Sequence, residues 1–211
     1  MFNILKKKTL PNRTTSEIKQ ICNILFIDDR KFGVVDILKK SGWVNTKRLG
    51  DIESLDDKEI ERSHILFVDI LGVGKQLQFA DEGLGLILAL KEKYPWKKVV
   101  VYSAEPTGDR FHDALSKADA RLRKDADPYQ FQTIVENFAS ELFSLPDTIE
   151  RVRILLAEET GIKPSSTEVT KAMTKIYRKQ EYTEPSISKV FNIQNAGSIA
   201  TIIQLFLTAS K

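Results

Sequence analysis

Three short apolar runs, each closed by a polar residue, constrain this chain more than any other feature. Ile24-Leu25-Phe26-Ile27 ends in Asp28-Asp29, Ile65-Leu66-Phe67-Val68 ends in Asp69, and Val99-Val100-Val101-Tyr102 ends in Ser103-Ala104. A poorer run, Ala120-Arg121-Leu122-Arg123, ends in Lys124. Read as strands of an open parallel sheet, these runs put their last residues where ligands bind, outside the carboxyl ends. Three carboxylates, one hydroxyl and one ammonium then share one mouth. Three carboxylates repel one another unless a divalent cation sits among them, and oxygen-only ligands suit Mg²⁺. The hydroxyl and the ammonium complete a site for phosphoryl oxygens.

The segments between the runs alternate in kind. Phe32 to Lys40 is amphipathic and is closed by Gly42. Trp43 to Leu49 reads as a second strand and Leu55 to Arg62 as a short helix. Leu84, Ile87, Leu88 and Lys91 have helical spacing that stops near Pro95. Arg110 to Lys117 is a short helix, and Phe131, Ile134, Val135, Phe138 and Leu142 mark one face of a strong one. Five strands alternating with helices imply right-handed crossovers and a doubly wound parallel sheet.

The pattern changes near Leu145-Pro146, after which no strand signal recurs. Ile149, Val152 and Leu156 repeat at helical spacing until Gly161 and Pro164. Ser165 or Ser166 caps a helix carrying Val169, Met173 and Ile176. Pro185 interrupts, and a last helix runs from about Ala196, apolar on most sides and therefore expected to be buried. The expected organisation is a lead-in over 1–20, an α/β domain over 21–144 and a small all-α module over 145–211.

Bulk numbers narrow the setting. The 211 residues are 42% hydrophobic and 29% charged, as in a globular protein, and the net charge of +3 does not by itself imply a nucleic-acid partner. Cys22 is the only cysteine, so it is read as a buried thiol in a reducing compartment. No apolar stretch is of membrane-spanning length, and none of signal-peptide length follows Lys6-Lys7-Lys8. A cytoplasmic protein without membrane contact is expected. His64 and His112 show no metal-ligand spacing, and Trp43 and Trp96 read as packing residues. Gly72-Val73-Gly74 lacks both the Rossmann and the Walker pattern, which leaves a flexible loop.

Over residues 21 to 143 the chain resembles the receiver domain of two-component response regulators, a flavodoxin-like fold. The marks are the acidic pair after the first strand, Asp after the third, Ser-Ala after the fourth and Lys after the fifth, in that order. The resemblance implies that Asp69 is a phosphoacceptor attacking a phosphohistidine or a small phosphodonor. It implies that Asp28 and Asp29 hold Mg²⁺, one through water, with Asp69 and the backbone carbonyl of Leu71 as further ligands. Lys124 then pairs with a phosphoryl oxygen, Ser103 bonds the phosphoryl group once formed, and small Ala104 leaves access open. The implied partner is a histidine kinase or phosphotransfer protein of a bacterial phosphorelay. The chain is then a phosphoacceptor rather than a conventional enzyme.

Several positions depart from the family pattern. Asp125 replaces the usual Pro after the lysine, so no cis bond is expected. Arg121 stands where an aromatic switch residue is usual, and the loop Ile70 to Ala80 is long. The residues that place hydrolytic water in the family are here Leu71 and Glu105. The Leu71 side chain cannot bond water, so a persistent phospho-Asp69 is implied.

The output side is less defined. Ile187 to Phe191, a turn near Asn195 and Ser198 to Leu207 can be read as helix-turn-helix. The would-be recognition helix has no Arg or Lys before Lys211, and residues 145–211 hold nine basic and seven acidic residues. DNA reading needs base-contacting polar groups and phosphate-neutralising charge. An interaction module, for an output protein or for self-association, is therefore favoured over a DNA-binding regulator. An unphosphorylated scaffold is the other alternative. A haloacid-dehalogenase-type phosphatase needs Asp-x-Asp after its first strand, which neither Asp28-Asp29 nor Asp69-Ile70-Leu71 supplies.

Overall fold

A computed structural model describes residues 9–104 and 112–208, without the side chains of 112–114. The chain divides into two compact units. One is Thr15–Ser140; the other is Glu141 onward together with the segment ending at Thr14.

The larger unit opens with helix α1, Thr15–Ile21, in residues that the sequence suggested were lead-in. Strands β1 (Ile24–Ile27), β2 (Thr46–Leu49), β3 (Ile65–Asp69), β4 (Lys98–Ser103) and β5 (Ala120–Arg123) form one sheet, paired parallel throughout. Its order is β2-β1-β3-β4-β5, the flavodoxin-like arrangement, with the sense of crossing reversed at β1/β3. Connecting helices are α2 (Val34–Lys40), α3 (Lys58–Arg62), α4 (Gly83–Lys93), α5 (His112–Lys117) and α6 (Pro128–Phe143).

Several elements are shorter than the apolar pattern suggested. In the second strand segment, only Thr46–Leu49 pairs. The third helix starts at Lys58 because Asp57 caps it, accepting from the Glu59 N–H at 2.7 Å. Arg110 lies outside the described residues.

Alternation along β1, β3 and β4 sends successive side chains to opposite faces. Leu25, Ile27, Leu66, Val68, Val99 and Val101 join Ile60 and the apolar side of α4 in one core. On the other face, Phe26 and Phe67 stack at 4.4 Å, with Tyr102, Phe32 and Phe131 around them. Cys22 is buried, and burial pushes its thiol pKa up, which keeps it protonated and unreactive.

At the opposite end of the sheet from the polar mouth, buried His64 accepts the Asn23 N–H at its Nδ1, 2.8 Å away. Burial, with a smaller contribution from Lys97, lowers its pKa from the usual 6.5 to about 3. Between those values the unfolded chain binds the extra proton, so stability falls as pH falls from 6.5, by ~1.4 kcal/mol per unit. From pH 7 to 5 this site alone is expected to remove about 2 kcal/mol. Denaturant midpoints of wild type and His64→Gln at both pH values test this. Equal pH dependence in the two proteins would refute it.

The smaller unit is helical: α7 (Leu145–Thr160), α8 (Ser166–Lys179), α9 (Glu184–Phe191) and α10 (Gly197–Thr208). Ser144 caps α7, and Gly161, at φ 72°, ends it in the left-handed region. Ser165 and Glu168 form a reciprocal capping box on α8. Pro185 does not interrupt: it sits in the first turn of α9, where a missing N–H costs nothing. α10 buries Ile199, Ala200, Ile202, Ile203, Phe206 and Leu207, as its all-round apolar character requires. Arg13 donates to the Phe206 carbonyl at 2.6 Å. Among the described residues, no helix is long and apolar enough to cross a membrane.

Candidate functional site

Strand register decides what meets at the mouth of the sheet. Ile27 pairs with Val68, so Asp28 follows one strand where Asp69 ends the next. Asp69 pairs with Tyr102, and Ser103 with Arg123, so Ser103 and Lys124 arrive beside them. The Lys124 N–H donates to the Ser103 carbonyl at 2.8 Å, which fixes the lysine's backbone at the strand end.

Asp28, Asp29 and Asp69 each offer a carboxylate oxygen within 4.8 Å of the others. Asp28 and Asp69 are buried and Asp29 is exposed. Lys124 Nζ lies 2.5 Å from Asp69 Oδ2 and 3.0 Å from Asp28 Oδ2. Asp69 Oδ1 accepts the Ile70 N–H at 2.8 Å, which sets the carboxylate's orientation. Asp29, Asp69 and Lys124 border a cavity of about 450 Å³ with Leu71, Ser103 and Ala104 on its wall, and Asp28 lies behind them, bonded to Lys124. All six site residues read from the sequence (Asp28, Asp29, Asp69, Leu71, Ser103, Lys124) thus stand around one mouth. Glu105 lies outside the described residues.

Burial pushes the Asp69 carboxyl pKa above its ordinary value, with Asp28 adding to the rise and Lys124 opposing it. Burial works to lower the pKa of Lys124. Its bonds to Asp69 and Asp28 outweigh that and hold it above the ordinary value. Lys124 thus contacts two of three clustered carboxylates, and the cluster with this one ammonium keeps an excess of negative charge. An all-oxygen donor set with such an excess fits a hard divalent cation. The loop also fits: a Cβ on Gly72, at φ 87°, would fall 2.6 Å from the Asp29 carboxyl carbon. The chain passes this close to Asp29 only because Gly72 has no side chain.

Four residues that shape the site went unread in the sequence. Tyr102 is fully buried, and its hydroxyl donates to Asp28 Oδ2 at 2.7 Å. Burial, then Asp28 beside it, pushes the phenol pKa far up, so it remains a donor. The signal was available: a tyrosine closing an apolar run needs a partner for its hydroxyl. Arg48 reaches from β2 to the Asp28 carbonyl at 2.6 Å.

The loop after Asp69 is anchored by two carboxylates. Asp51 accepts the N–H groups of Gly74, Lys75 and Gln76 at 2.6, 3.1 and 3.1 Å. Glu82 accepts the Gly72 N–H at 2.5 Å and pairs with Lys75 at 3.4 Å. The loop expected to be flexible is thus tied at both ends. Glu82 itself takes φ 48° and ψ −123°, a costly backbone for a residue with a side chain.

No family model and no curated protein matches this sequence. Among solved structures, the chain is similar to a BeF3-activated DrrB receiver domain, at 19% identity over 56% of this chain and 96% of that one, with a TM-score of 0.45. It is similar to a CheY-like response regulator receiver domain protein from Methanospirillum hungatei JF-1, at 15% identity over 57% and 94%, TM-score 0.45. It is also similar to a response regulator from Thermotoga maritima, at 21% identity over 56% and 98%, TM-score 0.42.

Proposed function

We propose that the chain is a response regulator whose larger unit accepts a phosphoryl group on Asp69. The observation that carries this reading is the shared ammonium: Lys124 bridges Asp69 and Asp28 where Asp29 adds a third carboxylate. That arrangement stores an anionic nucleophile beside a cation already placed for phosphoryl oxygens.

Asp69 attacks the phosphorus of a phosphohistidine, or of a small acyl phosphate. An O–P bond to Asp69 forms while the donor's bond to phosphorus breaks, and that electron pair leaves with the donor. Lys124 shifts from carboxylate to a phosphoryl oxygen, a short move given its present 2.5 Å contact. Ser103 donates to the transferred group from the end of β4. Mg²⁺ would be held by Asp28 and Asp29, one of them through water, with Asp69 and the Leu71 carbonyl, and would supply charge that offsets the phosphoryl oxygens. Leu71, half exposed on the cavity wall, offers water no hydrogen bond from its side chain, which favours a long-lived product. The donor is a histidine kinase or phosphotransfer protein, and output passes through the helical part, residues 145–211, to a protein partner or a second copy.

The test is incubation of the full chain with Mg²⁺ and a small acyl-phosphate donor, followed by intact mass measurement. A single phosphoryl adduct that requires Mg²⁺ is expected. A chain that stays unmodified, whatever the donor and cation, leaves the scaffold reading in its place.

A further inference from the structure

Asp28 Oδ2 is engaged twice within the protein, by the Tyr102 hydroxyl at 2.7 Å and by Lys124 at 3.0 Å. Oδ1 accepts the Arg30 N–H at 2.9 Å. A carboxylate oxygen has two lone-pair directions, so Oδ2 is filled and Oδ1 half filled. Tyr102 cannot turn elsewhere. Its ring stands edge-on to Phe26 at 5.8 Å and to Phe131 at 6.2 Å, and none of it reaches solvent. The hydroxyl is therefore built toward Asp28. No part of the phosphoryl-transfer scheme uses it.

We propose that Tyr102 is a positioning residue that sets the cation affinity of the Asp28–Asp29–Asp69 cluster, and holds it weak. This rests on reading the cluster as a divalent-cation site. A buried carboxylate needs its charge balanced, and the phenol supplies part of the balance that a cation would otherwise supply. A cation approaching Asp28, directly or through one of its waters, competes with the phenol for the same carboxylate. Removing the hydroxyl leaves Asp28 with one donor fewer and a stronger demand for positive charge. The expected sign is the reverse of what a merely supporting contact gives, since losing such a contact loosens the site and weakens binding.

The experiment is a Mg²⁺ titration of the full chain, wild type and Tyr102→Phe, followed by backbone amide shifts. Tyr102→Phe is expected to bind Mg²⁺ roughly 3- to 10-fold more tightly, a fraction of the worth of a charge-assisted hydrogen bond. A second measurement uses wild type alone, with tyrosine labelled at Cζ. The Tyr102 signal, assigned through its neighbours Phe26 and Phe131, should move as Mg²⁺ is added, and it decides the matter if Tyr102→Phe does not fold. Equal or weaker binding by a folded Tyr102→Phe, or a motionless Tyr102 signal while amides of the cluster shift, overturns this proposal and leaves the cation site standing. No shift near Asp28, Asp69 or Lys124 in either protein overturns both.

Discussion

Asp69→Asn is expected to abolish the phosphoryl adduct completely while leaving the fold intact. The two side chains are nearly the same size, so the buried place at the end of β3 stays filled. An amide oxygen can still accept the Ile70 N–H now held at 2.8 Å. What is lost is the anionic oxygen that forms the acyl phosphate, and no neighbouring side chain replaces it. Asp28 is engaged by Tyr102, Lys124 and Arg30, and Asp29 lies toward solvent. Removing one of three clustered carboxylates also relieves repulsion, so the thermal midpoint should hold or rise. The measurements are intact mass after donor treatment with Mg²⁺, and a melting curve on the same samples. An adduct that persists in Asp69→Asn moves the acceptor elsewhere.

Gly83→Ala is expected to be the most damaging of the small glycine substitutions. A Cβ there would lie 1.9 Å from the Asp69 carbonyl oxygen and 2.9 Å from that of Ile70. Both obstacles are backbone, held by strand β3 and by the Gly83 N–H to the Ile70 carbonyl at 3.0 Å. Neither can rotate away, so the start of α4 must lift from the strand end. Overpacking against rigid backbone costs about 3 kcal/mol or more, at the upper end for a single methyl group. The strand end that α4 must lift from is Asp69 itself, so phosphoryl acceptance should fall with stability. Gly33→Ala is the control: a Cβ there meets nothing within 4 Å. It should change the denaturant midpoint little. Equal midpoints for the two variants would show that the approach of α4 to β3 is not as close as described.

The strands were legible because their signal is local. Four apolar residues followed by a polar one mark β1 and β3 without help from context. Even the poor run Ala120–Arg123 is a strand, and its half-exposed alternation explains why its apolar signal was weak. That Asp28, Asp69, Ser103 and Lys124 meet at one mouth could be read because each directly closes such a run. Contacts that join distant parts of the chain were not. Asp51 reaches 23 to 25 residues along to tie the loop after Asp69, and Tyr102 meets Asp28 across 74. Neither pairing has a periodicity that would betray it. Pro185 was misjudged for another reason: in a first helical turn proline is favoured, and only the cap at Thr183 tells the two cases apart.

The sheet's outermost strands carry a consequence for how copies of the chain can meet. β5 ends the sheet on one side and turns Arg121 and Arg123 outward, while β2 ends it on the other with Lys47 exposed. Each border is only four residues long and carries exposed charged side chains, Lys47 paired with Glu59 on one and Arg123 with Asp125 on the other, which works against strand addition. Assembly of this chain, with a partner or with itself, is then expected to run through its helices rather than through the sheet.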